Sequence, residues 1–69
     1  MTEAEFLDTV RTYHNLHPAQ RYGQAVFNVL RLIDRKWSNR AHGTDLDPFD
    51  HDERVPTLLA FLRDQEVWD

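Results

Sequence analysis

Apolar and polar positions along this chain repeat with a helical period almost from end to end. Phe6, Val10 and Tyr13, with Leu7 beside them, recur at spacings of three and four and draw one apolar stripe over residues 2–15. Thr2-Glu3-Ala4-Glu5 is a capping box, in which the Thr2 hydroxyl accepts from an orphan amide of the first turn while Glu5 reaches back. The first helix should begin there. Asn15 and the bond into Pro18 end it, because the residue before a proline is pushed out of the helical region. Pro18 suits the first position of a second helix, where its missing amide costs nothing, and this helix is predicted over residues 18–35. The short corner between the two favours an antiparallel pair.

The second helix organises the rest. At about 100° per residue, Gln20, Arg21, Gln24, Asn28, Arg31 and Arg35 fall in one sector, roughly a third of the circumference wide. A helix apolar over about two thirds of its surface should be wrapped by its neighbours. Tyr22, Val26, Val29, Leu30 and Ile33 are expected to be buried on one side, with Ala25 and Leu32 on one flank and Phe27 on the other. Gly23 lies inside the apolar sector. Glycine there costs up to about 1 kcal/mol against alanine, so its presence predicts close approach of another backbone. Run unbroken to His42, the helix would be about 36 Å long, too long for so short a chain to cover. A kink or restart is therefore expected near Asp34 to Lys36, then a short helix over 36–42 that carries Trp37 and Ala41 inward. Gly43 reads as its left-handed stop.

Residues 44–53 are the only long stretch without helical period. Asp47-Pro48 is a turn signal, and Leu46 and Phe49 can pin the loop to the core. Pro56 opens a last helix over 56–66, with Leu58, Leu59, Phe61 and Leu62 inward; Val67 and Trp68 either fold back or fray. The expected architecture is all-α, a small bundle of three main helices plus a short fourth, with an ordered acidic loop before the last helix, in a single domain over 1–69.

Composition narrows the function more than the fold. A chain of 69 residues has a marginal core. With no cysteine, disulfides and thiolate metal sites are closed to it, so association is the favoured remedy and a homo-oligomer is expected. No apolar run approaches a membrane span and the first residues are acidic where a secretory signal would be basic, so a cytoplasmic protein is expected. The net charge of −4 argues against strong non-specific binding to nucleic acid. It is unevenly spread. Glu3, Glu5 and Asp8 make residues 1–10 net −3; Arg11, Arg21, Arg31, Arg35, Lys36 and Arg40 against Asp34 make residues 11–40 net +5; residues 41–69 are net −6. A basic middle sits between acidic ends, and mutual neutralisation in the fold is the plain reading.

Gly23-Gln24-Ala25-Val26-Phe27-Asn28-Val29-Leu30, followed by Gly43-Thr44-Asp45-Leu46-Asp47-Pro48-Phe49 and an acidic run into Val55-Pro56, resembles a group of short bacterial and phage-borne proteins of uncharacterised function. The likeness covers residues 21–64; where this chain has His42, arginine often precedes the glycine in the group. It implies that the two motifs belong together in one small helical unit, and it carries no activity.

Chemistry-bearing residues offer few combinations. Asp45, Asp47, Asp50 and Asp52 tempt a calcium reading, but an EF-hand loop begun at Asp45 would place Asp50 where glycine is needed and Pro56 where a bidentate glutamate is required. His14 and His17 lie three apart near a helix end, with nothing in the spacing to bring His42 or His51 to them. Ser38 is the one serine, and there is neither a phosphate loop nor an H-E-x-x-H pattern. No catalytic residue, metal or cofactor is expected. What remains is the polar sector of the second helix. Arg21, Gln24, Asn28, Arg31 and Arg35 are the candidate partner-binding residues of a small protein-protein interaction module, an adaptor or an inhibitor of a larger protein. Two alternatives stay open: Gln24 and Asn28 brace the 44–49 loop, and the arginines pair internally with Asp45, Asp47 or Asp50. A small nucleic-acid-binding protein using Arg21, Arg31, Arg35, Lys36 and Arg40 is the second functional reading.

Overall fold

The computed structural model describes residues 1–69, of which 67% are helical and none lies in a strand. Helix α1 spans Glu3–Leu16, α2 Tyr22–Ile33, α3 Arg35–Ala41 and α4 Val55–Asp64; a 3-10 turn, Asp52–Arg54, leads into α4. The loop between α3 and α4 is ordered. The capping box forms as its residues dictate: the Glu5 amide donates to the Thr2 hydroxyl at 3.1 Å and the Thr2 amide to the Glu5 carboxylate at 2.8 Å.

Helix α2 is the hub, packing against α1, α3 and the 3-10 turn. Its Ala25, Val26, Val29 and Leu30 join Phe6 and Val10 of α1, Trp37 and Ala41 of α3, and Val55, Leu58, Leu59 and Leu62 of α4 in one connected apolar cluster. Burying each large side chain of that cluster contributes about 1.5–3 kcal/mol. Phe27, 6% exposed, turns to the opposite side and meets Phe49 of the loop edge to face, ring centroids 5.8 Å apart.

Three features of the central helix differ from the sequence reading. First, it starts at Tyr22 and not at Pro18, because residues 18–20 make a turn closed by the Gln20 amide on the His17 carbonyl at 3.0 Å. Second, the Asp52 carboxylate, 29 residues away in sequence, accepts from the Gly23 amide at 2.9 Å and satisfies an orphan donor of the first turn. That remote cap sets the start. Third, the expected burial of Tyr22, Leu32 and Ile33 does not occur, for they are 37%, 73% and 42% exposed. Tyr22 and Ile33 are the terminal residues of α2, and Leu32 lies on a flank that no other element covers.

The break before α3 falls at Asp34 (φ −155°, ψ 86°), so α2 and α3 fit a molecule whose longest extent is 30 Å. Gly43 has φ +74°, the left-handed conformation expected after α3. Gly23 is where two backbones meet: a Cβ built there would lie 2.1 Å from the Pro48 carbonyl oxygen. The chain end folds back. Trp68 stacks on Phe6 with centroids 4.8 Å apart, and Val67 donates to the Leu62 carbonyl at 3.1 Å.

Candidate functional site

The acidic loop lies against α2 through side chains that sequence periodicity does not reveal. Asp47 is its organiser: one carboxylate oxygen accepts from the Gly43 amide at 2.8 Å and the other from the Phe49 amide at 3.0 Å. Arg54 reaches back to the Thr44 and Asp47 carbonyls, and the Arg21 guanidinium donates to the Asp50 carbonyl at 3.1 Å. An irregular segment against a core needs partners for its backbone groups, and these three arginine bonds with the two Asp47 contacts supply them. Beyond the loop, the Glu53 carboxyl is held below its ordinary value, first by its own backbone amide and further by His51, whose Nδ1 lies 3.1 Å away.

Of the five residues expected to form a contact strip, Asn28 is 7% exposed. Its amide donates to the Gln20 side-chain oxygen at 3.2 Å, while the Gln20 amide donates to the Tyr13 hydroxyl at 3.3 Å and His14 Nε2 to the Gln20 carbonyl at 2.9 Å. Asn28 thus ties the α1–α2 corner together and does not reach the 44–49 loop. Gln24 is half-buried and does not brace the loop either. Arg21 is spent on the Asp50 backbone, while Arg31 and Arg35 are exposed.

Mutual neutralisation of the basic middle is confined to Arg11, which pairs with Asp8. The five ion pairs involve the N-terminus, Arg11, His42, His51 and Arg63, and none includes Arg21, Arg31, Arg35, Lys36 or Arg40. Lys36 and Arg40 instead lie over the Trp37 ring, 4.9 and 5.0 Å from its centroid. The arginine hydrogen bonds come from Arg11, Arg21, Arg54 and Arg63. Arg31 and Arg35 are left unpaired at the α2–α3 corner, beside exposed Leu32 and Ile33.

Two open clefts flank the loop. One, of about 200 Å³, is polar and runs past Thr44, His51 and Arg54. The other, of about 310 Å³, is lined by Phe27, Arg31, His42, Asp47, Phe49 and Asp50. The second escaped sequence reasoning because its walls come from α2, the end of α3 and the loop. Its one legible trace is the i, i+4 spacing of Phe27 and Arg31.

No three His, Cys, Asp or Glu side chains gather where they could hold a metal ion. The histidines lie apart, each with a local contact: His14 on the Gln20 carbonyl, His17 on the Tyr13 ring at 4.3 Å, His42 3.6 Å from Asp47, and His51 on Glu53. No helix is long and apolar enough to cross a membrane. No protein family, curated protein or solved structure matches the chain.

Proposed function

We propose that this protein is a small, non-catalytic protein-binding module of the bacterial or phage cytoplasm, an adaptor or inhibitor that self-associates and grips a larger, acidic partner through its α2–α3 corner. The observation that carries the reading is the unpaired state of Arg31 and Arg35 next to Leu32, 73% exposed, and Ile33, 42% exposed. Cations with no internal acceptor give up no intramolecular bond when a partner's carboxylates replace water, and arginine is enriched at interface hot spots. Exposed leucine and isoleucine alongside them supply the apolar area that a protein surface rewards and a phosphate backbone does not.

The test compares capture by the wild-type chain and by an Arg31→Glu/Arg35→Glu variant from the native lysate, with sedimentation of the purified protein alongside. A stoichiometric protein retained by the first and lost by the second supports the reading. Capture of nothing, with monomeric sedimentation, overturns it. The same unpaired cations with Lys36 and Arg40 favour a second reading, nucleic-acid binding, which requires retardation of DNA or RNA that weakens steeply from low to physiological salt.

A further inference from the structure

We infer that the cleft between α2 and the loop is an anchor pocket for one aromatic side chain of the partner, flanked in that partner by a carboxylate that Arg31 receives. The inference rests on the protein-binding reading and names the chemistry of the bound segment. Size is the first argument. At about 310 Å³, the cleft is at the lower limit of small-molecule sites and matches one large side chain. Its walls are the second. Phe27, 6% exposed, and Phe49 stand edge to face at 86°, and the His42 ring lies 5.9 Å from Phe27, so the aromatic lining comes from α2, the loop and the end of α3 together.

Charge complementarity sets the flanking group. Of the charged side chains lining the cleft, Asp47 is engaged by two backbone amides and stands 3.6 Å from His42. Asp50 lies at the rim, exposed, its carboxylate in no ion pair, since the Arg21 guanidinium bonds its backbone carbonyl; solvent at the rim screens that carboxylate. Arg31 is the lining cation without an acceptor. The neighbouring polar cleft does not qualify, because Arg54, Asp47 and His51 there already have internal partners.

The experiment titrates the isotope-labelled full chain with N-acetyl-Phe-Asp-amide, N-acetyl-Phe-Asn-amide, N-acetyl-Ala-Asp-amide and N-acetyl-Phe-Lys-amide, following amide and ring resonances by NMR. The Phe-Asp peptide is expected to shift Phe27, His42, Gly43 and Phe49 with a Kd on the order of 1 mM, in keeping with its size. It should bind about fivefold tighter than Phe-Asn, as a partly exposed ion pair warrants. Arg31→Gln should erase that difference, and Asp50→Asn should widen it about twofold, by removing a like charge. Both positions are exposed and make no side-chain bond, so the variants fold. Equal binding of Phe-Asp and Phe-Asn, equal binding of Ala-Asp, or tighter binding of Phe-Lys overturns the pocket. Should the lysate partner still be captured through Arg31 and Arg35 when the Phe-Asp peptide leaves these resonances unmoved, the anchor falls and the protein-binding reading stands.

Discussion

At Gly23 two demands oppose each other. Alanine would favour the helix by about 1 kcal/mol, yet its Cβ would lie 2.1 Å from the Pro48 carbonyl and 2.9 Å from the Asp52 carboxylate that caps α2. Overpacking against backbone costs about 1–3 kcal/mol and the cap is lost with it, so Gly23→Ala should be destabilising by about 2 kcal/mol. In a domain of this size that lowers Tm by roughly 10 °C, readable by thermal denaturation. Asp47 makes the complementary case. Its carboxylate serves two amides, so Asp47→Ala leaves both without their acceptor and should cost about 1–3 kcal/mol. Hydrogen exchange localises the effect: the Gly43 and Phe49 amides should exchange faster than the α1 amides.

Among the elements, α1 is the one whose start the local sequence specifies outright. Thr2→Ala removes the hydroxyl that accepts from the Glu5 amide and should cost about 1 kcal/mol. Glu5 lies below its ordinary carboxyl value, chiefly because the Thr2 backbone amide and then the Thr2 hydroxyl bond to it. A depressed folded value means the contribution is complete above the unfolded carboxyl pKa and is lost as pH falls through the folded one. Between neutral pH and about pH 3, Glu5→Gln should accordingly melt with a shallower fall in Tm than the wild type. Helix α4 ends differently, on Glu66 at φ +55°, while the Val67 amide reaches the Leu62 carbonyl. That closing turn favours glycine in the left-handed position. Glu66→Gly should raise stability by about 0.5 kcal/mol, seen as a higher denaturant midpoint with unchanged slope.

For the whole molecule, the distribution of charge separates stability from binding. Since Arg31 and Arg35 make no ion pair, Arg31→Glu/Arg35→Glu should keep the folding free energy within about 1 kcal/mol of wild type, even as capture of an acidic partner is lost. A large fall in Tm in that variant would assign the two arginines a structural role. The expected internal neutralisation failed for a geometric reason. Asp52 and Asp47 turn their carboxylates to the backbone amides of Gly23, Gly43 and Phe49, and those of Asp45 and Asp50 form no ion pair with an arginine.

The helical period, the capping box, the glycine stop at Gly43 and Pro56 were enough to specify an all-α chain, the break at Asp34, and which faces of α1, α3 and α4 turn inward. These are local or periodic properties, carried by residues within a turn or two of each other. Tertiary contacts alone decided the start of α2, the burial of Asn28, the exposure of Leu32 and Ile33, and the cleft under Phe49. Each depends on groups far apart in sequence meeting in space, as Gly23 meets Asp52 across 29 positions, and no local pattern encodes such a meeting.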